Sequence, residues 1–238
     1  MNYKIVYSYD GTNYSGLQKQ KNSHTIENEI LKSIYKITNE NVELVTSGRT
    51  DRGVHALCQV SNFKSQYKFQ NAEKINELLP KDIYIKTLEV VDDRFHSRYN
   101  CKGKTYLYKI LKHYNPIERK YCYYYNNLLD IDKMKNAAGI FIGEHDFKAF
   151  SSTKKTNKST VRKVNNLSIR EDENHIYFEI SGNGFLYNMV RIIVGTLIEV
   201  GEGKINADDI YKIFEDANRE NAGRTLPPHG LHLIAVEY

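Results

Sequence analysis

Apolar and polar positions along the chain change period several times, and each change marks an element. The apolar-rich run Lys4–Tyr9 predicts a strand. From Thr25 to Thr38, Ile26, Ile30, Ile34 and Ile37 recur along one face, which is the helical period. Val42–Thr46 and Leu57–Phe63 read as strands, Ala72–Leu79 as a helix ended by Pro80, and Ile83–Val91 as a strand. The order β-α-β-β-α-β is the ferredoxin-like arrangement. A similar series follows. Thr105–Leu111 predicts a strand, with Leu107 and Lys109 opposing Tyr106, Tyr108 and Ile110. Met134, Ala137, Ala138 and Phe141 give Ile131–Ile142 a helical face. Val164–Arg170 and His175–Ser181 pair around the turn Glu171–Asn174. Phe185–Val200 is a largely buried helix, Ala207–Phe214 an extra one, and Leu231–Val236 the last strand.

The predicted fold is therefore α+β: two ferredoxin-like halves with adjoining, mostly antiparallel sheets and a central cleft. Residues 1–98 form the first half and residues 99–238 the second, which carries a basic insertion. The duplication is architectural, since no detailed sequence repeat accompanies it. Lys154–Thr160 reads as a mobile insertion and Arg219–Pro228 as a loop.

At 238 residues there is ample core for independent stability. Hydrophobic residues make up 40%, and no apolar run approaches membrane-spanning length. The N-terminus begins directly as a strand and lacks the apolar core of a signal peptide. Cys58, Cys101 and Cys122 are scattered, with no Cys-x-x-Cys pair, so neither a disulfide framework nor a zinc site is expected. A cytoplasmic protein without a membrane anchor or a metal is the simplest expectation.

Net charge is +5, from 34 basic and 29 acidic residues, an excess too mild to identify a polyanionic partner. Its distribution adds more. Lys148, Lys154, Lys155, Lys158, Arg162 and Lys163 lie in a stretch with no acidic residue. Arg98, Lys102, Lys104, Lys109 and Lys112 interleave with Tyr99, Tyr106 and Tyr108. Cations for phosphates beside aromatic faces for unstacked bases suit looped or single-stranded RNA. The plainer reading is the abundance of both residue types, the chain having 19 tyrosines.

One octapeptide concentrates the candidate chemistry. Gly48-Arg49-Thr50-Asp51-Arg52-Gly53-Val54-His55 joins two predicted strands, where a rigid scaffold can hold polar groups yet leave them within reach of a substrate. Arg49 and Arg52 flank Asp51 closely enough to favour its ionised form. A carboxylate kept charged on a glycine-bearing loop can serve as a nucleophile. An ordinary polar hairpin turn is the competing reading. His55 has no ligand set around it, so a loop-stabilising hydrogen bond is expected of it rather than catalysis. Arg191 stands within an apolar helix and needs an anionic partner there.

The segment from Ser47 to Phe63 resembles the catalytic segment of the tRNA pseudouridine synthase A family, with its Gly-Arg-Thr-Asp-x-Gly-Val-His stretch. The resemblance continues in family order. It takes in Tyr9–Gly16, Phe95–Arg98, Lys104–Tyr108, His145–Phe150, Gly184–Gly195 and Pro228–Leu233, nearly the whole length. It implies the pseudouridine synthase fold and isomerisation of uridine to pseudouridine in the anticodon stem-loop of tRNA, without metal or organic cofactor. It implies Asp51 as catalytic residue, Arg191 as the partner of that carboxylate, and Tyr106 as the ring packing on the target base. A plain cross-strand core residue is the alternative for Tyr106, and a structural ion pair for Arg191. Arg49 is expected to guard the base cavity, contact phosphate or hold the loop, and Leu231 to form an apolar wall or simply core. Arg52, Arg98, Lys104, Lys154 and Lys155 are the expected RNA contacts. A homodimer acting on tRNA is implied as the assembly.

Two positions depart from the family pattern. Leu17 stands where tryptophan is common, and Arg52 where a small residue is usual. Both bear on which RNA fits, another structured RNA being the alternative substrate. A noncatalytic RNA-binding protein is the competing class; Asp51, Tyr106 and Arg191 together argue against it, because binding alone does not need that acid. A nucleotide-dependent enzyme is disfavoured because Gly182-Asn183-Gly184 is too short for a phosphate loop and lacks its lysine.

Overall fold

The computed structural model describes residues 1–153 and 158–238. It divides into two compact units, one of residues 1–102 with 232–238 and one of residues 103–231.

In the first unit, β1 (Asn2–Tyr9) is the central strand, flanked antiparallel by β3 (His55–Lys64) and β4 (Ile83–Val91). Tyr3 lies opposite Phe63 on one side and Val90 on the other. Helix α1 (Ile26–Thr38) starts where Thr25 accepts a hydrogen bond from the Asn28 N–H at 3.3 Å. It ends at Asn39, whose left-handed φ of 58° turns the chain while its N–H returns to the Tyr35 carbonyl. Ile26, Ile30 and Ile34 are fully buried, as the helical period predicts.

Three elements differ from expectation here. β2 is only Val45–Thr46, not Val42–Thr46. The edge of β3 is shared: β2 pairs antiparallel with Asn62 and Ser61, while β10 (Leu231–Glu237) pairs parallel with His55 and Ala56. α2 is a single turn, Glu73–Asn76, and the Asn76 side-chain amide ties it to Ile85 in β4. Its Nδ2 donates to the Ile85 carbonyl at 2.9 Å and its Oδ1 accepts the Ile85 N–H at 2.8 Å. The last strand, His232 onward, thus belongs to the first unit rather than closing the second.

In the second unit, β5 (Gly103–Leu111), β9 (His175–Gly182), β8 (Val161–Glu171) and β7 (Gly143–Asp146) form an antiparallel series in that spatial order. β6 (Tyr123–Tyr124) adds a short parallel contact to β5. β6 and β7 were not expected; two to four residues carry too little pattern to read. α3 is Ile131–Ala138, followed by a 3-10 turn at Gly139–Phe141 instead of a continuous helix to Ile142. α4 runs Met189–Gly201, and α5 Asp209–Asp216. α4 begins four residues later than Phe185 because Asn188 takes a left-handed φ of 62°. Phe141, Phe147, Phe150 and Phe214 meet ring to ring behind α3, so His145–Phe150 is chiefly a packing motif. Among the described residues no helix is long and apolar enough to cross a membrane.

Candidate active site

The loop before β3 is held by backbone and side-chain hydrogen bonds together. At its stem, Ser47 Oγ donates to Gln59 Oε1 at 2.8 Å, and Gln59 Nε2 donates to the Gly48 carbonyl at 3.1 Å. The Leu17 N–H donates to the Thr50 carbonyl at 3.1 Å, and the Val54 N–H closes a turn onto the Asp51 carbonyl at 3.1 Å. Beneath the loop, the Thr50 and Tyr9 hydroxyls lie 2.6 Å apart, both side chains buried. Burial pushes the Tyr9 phenol up to about 12, so it remains protonated at neutral pH.

Two glycines from the segment after β1 make this seat possible. A Cβ on Gly11 would stand 2.0 Å from the Val54 carbonyl oxygen. One on Gly16, at φ +102°, would stand 3.0 Å from that of Thr50. The Tyr9–Gly16 motif is therefore a floor on which the loop lies without intervening side chains. His55 completes it: the Gly11 N–H donates to Nδ1 at 3.1 Å, Asp10 Oδ1 lies 3.2 Å from the same nitrogen, and the ring stacks on His232. His55 is a loop-holding residue, as expected.

Asp51 is half-buried on this loop, while Arg49 and Arg52 are exposed. Burial raises the Glu27 carboxyl, which accepts the Lys19 N–H at 2.7 Å, and the positive charge of Arg49 works in the opposite direction. Leu17, the tryptophan-replacing residue, is fully buried next to the loop's backbone.

The other candidates belong to the second unit. Tyr106 lies in β5 opposite Ile180, buried, with its ring edge-on to Phe185 at 5.2 Å. Arg191 lies in the first turn of α4, where the helix dipole opposes a cation. Two acceptors offset this: Nε donates to the Leu226 carbonyl and Nη1 to Asn188 Oδ1, both at 2.6 Å. These hydrogen bonds orient the guanidinium. Leu231 is 7% exposed.

The basic stretches are only partly available. Lys104 is half-buried in β5. Lys112 is engaged, its ammonium 2.5 Å from Glu171 and 2.7 Å from the Asp172 carbonyl. Arg162 folds back on the carbonyls of Ser159 and Val161. Arg98 is exposed, and its neighbour Tyr99 is 81% exposed and stacked on His96 at 4.1 Å. Lys154 and Lys155 lie outside the described residues.

A carboxylate on a loop seated on glycine, with a hydroxyl-buttressed underside, is a fixed acid on a scaffold that yields little. Comparison with known proteins gives it a context. The tRNA pseudouridine synthase family profile matches residues 5–100 and 137–238. The chain is 49% identical to a tRNA pseudouridine synthase A of Thermoanaerobacter, over 100% of this chain and 99% of that one. It is 47% identical to that of Acetivibrio thermocellus, with the same coverage. It is 46% identical to tRNA pseudouridine synthase A 2 of Clostridium tetani, covering 98% of that protein. With a match that takes in the loop and the start of α4, the chain belongs to the tRNA pseudouridine synthase family.

Proposed function

We propose that this chain isomerises uridine to pseudouridine in tRNA, with Asp51 as the catalytic carboxylate. The reaction breaks the C1′–N1 bond and joins C1′ to C5; the C5 proton leaves and N1 gains one, so no redox partner is required. The target must first leave its stack and enter a pocket. Asp51 assists by adding to the sugar or the pyrimidine ring, or by taking a proton on a glycal route. The observation that carries the reading is the seat of Asp51: a single carboxylate on a loop held through backbone contacts to Gly16, Leu17 and Val54.

The remaining roles follow from residue chemistry and the family resemblance. Arg191, oriented by Asn188 and the Leu226 carbonyl, is the positive partner of Asp51 in the reaction. Tyr106 offers its ring to uracil and its phenol to the C5 proton, and Leu231 supplies an apolar wall. Arg49 holds the loop. Arg52, Arg98, Lys104, Lys154 and Lys155 contact phosphates. The protein acts as a cytoplasmic homodimer on the anticodon stem-loop, without a catalytic cofactor. Asp51→Asn tests the core of this reading. It should fold and bind tRNA as the wild type does but form no pseudouridine at single-nucleotide mapping; retained turnover would remove Asp51 from the chemistry.

A further inference from the structure

A second cluster of chemical groups lies wholly within the unit of residues 103–231. The chain between β5 and β6 makes one helical turn in which the Cys122 N–H returns to the Glu118 carbonyl at 3.0 Å. That turn puts Glu118 and Cys122 on one face. His175 opens β9 and pairs across to Leu111, which brings its ring over the turn. His175 Nε2 lies 2.7 Å from Glu118 Oε2, and Cys122 Sγ lies 3.8 Å from the same oxygen. The three potential ligand atoms all fall within 4.8 Å of one another.

We propose that Glu118, Cys122 and His175 form a binding site for a borderline-soft divalent cation, with zinc the ion that the donor set fits best. Thiolate, imidazole and carboxylate are the zinc donor types, and three protein ligands leave a fourth position for water. In a tetrahedral site donor atoms stand roughly 3.3–3.7 Å apart, so binding requires the Glu118–His175 contact to open by about half an ångström. The groups behind the ligands are the second observation. Metal-bound histidines offer their other ring nitrogen to a carboxylate. Here Asp172 Oδ1 lies 3.3 Å from His175 Nδ1 and is itself fixed by the Asn174 and His175 N–H groups at 2.9 and 2.7 Å. Asn115 Nδ2 donates to Glu118 Oε1 at 2.9 Å, which turns Oε2 toward the other two ligands.

Access and charge agree with this assignment. Cys122 is buried at 2% exposure, whereas the Glu118 side chain is 35% exposed, so the cluster has a closed floor and an open side. Thiolate and carboxylate together neutralise a divalent ion. On binding, the thiol proton and the proton shared by His175 and Glu118 pass to solvent, and nothing is oxidised or reduced. Burial pushes the Cys122 thiol up to about 11, which argues against a role as a free nucleophile. The site would tie the turn before β6 to β9 and is independent of the Asp51 chemistry.

The test uses the full chain, stripped with a chelator and titrated with zinc alone against a chromophoric competitor, then with cobalt(II) as a spectroscopic substitute. One equivalent should bind, with a thiolate-to-cobalt charge-transfer band and a raised melting temperature. Cys122→Ser and His175→Gln should lose that binding, while Cys58→Ser and Cys101→Ser keep it. Asp172→Asn should bind roughly tenfold or more weakly, the usual cost of removing the carboxylate behind a histidine ligand. Glu118→Gln preserves the hydrogen bond to His175 and guards against loss of folding as the cause. Absence of a stoichiometric equivalent in the wild type, or a Cys122→Ser protein that binds equally well, overturns the site.

Discussion

The loop Gly48–His55 and the corner built from Glu118, Cys122 and His175 hold polar groups by opposite means. The loop rests on main chain: N–H groups of Leu17 and Val54, and two glycines that let the backbones touch. The corner rests on side chains, with carboxylates, an imidazole and an amide supporting one another. The main-chain contacts themselves are indifferent to protons and salt but intolerant of bulk. A charged corner tolerates bulk at its open side and responds to pH and cations. The difference suits a catalytic loop that must not move and a surface tie that exchanges protons.

The harshest way to break the comparison is to add one carbon to the seat. In Gly11→Ala the new Cβ meets the Val54 carbonyl, which is backbone and cannot rotate away. The cost should be about 3 kcal/mol, at the upper end for overpacking, and should appear in urea melts. Gly139→Ala is the matched control, since that residue is helical, at φ −59° and ψ −29°, and a Cβ there meets nothing within 4 Å. It should gain about 0.4–1 kcal/mol. Equal stability for the two variants would dismiss the main-chain account of the loop.

A milder cut reaches the hydroxyl pair beneath the loop. Tyr9→Phe leaves the buried Thr50 hydroxyl without its phenolic partner. A loss of about 1–3 kcal/mol is expected, part of it recovered when Thr50→Val is added, because an orphaned polar group costs more than an absent pair. A double mutant whose losses simply sum would show that the two hydroxyls act independently.

The same contrast explains what could be read from the sequence. Most of what makes the loop is contiguous or belongs to a short preceding motif, so Asp51 and the Tyr9–Gly16 segment stand out in the sequence, while the seating roles of Gly11 and Gly16 emerge only in the structure. The longer strands of both units and α1 were legible because Ile26, Ile30 and Ile34 or the alternation in β5 repeat with a period. The start of α4 was not, because a single left-handed Asn188 moves it, and asparagine is an ordinary residue inside an apolar stretch. The corner was invisible for a different reason. Cys122 and His175 come together only through a turn and a strand register, and no ligand spacing records that meeting; the sequence pointed to no metal at all. The strand β10 was legible, but its pairing escaped for the same reason, the parallel partner in β3 lying at the other end of the chain.

The smallest expected effect separates corner from loop by acid. Asp172 is held down at about 2, first by the Asn174 N–H, then by the His175 N–H, the Tyr177 hydroxyl and the His175 charge. The Glu118 carboxyl is also lowered, chiefly by its hydrogen bond from His175. A carboxylate depressed in the folded state stabilises the protein above its ordinary pKa of about 4, and that contribution fades as pH falls toward the folded value. Both groups are exposed enough for solvent and salt to screen them, so the effect is modest. Between about pH 5 and about pH 3 the wild type should lose more stability than Asp172→Asn, and added salt should shrink the difference. In Gly11→Ala the steric contact with Val54 carries no proton, so any change of slope there reports the Gly11 N–H bond to His55 Nδ1 beside Asp10 rather than the corner. If Asp172→Asn keeps the wild-type slope, the corner is held by packing and backbone, and the contrast with the loop disappears.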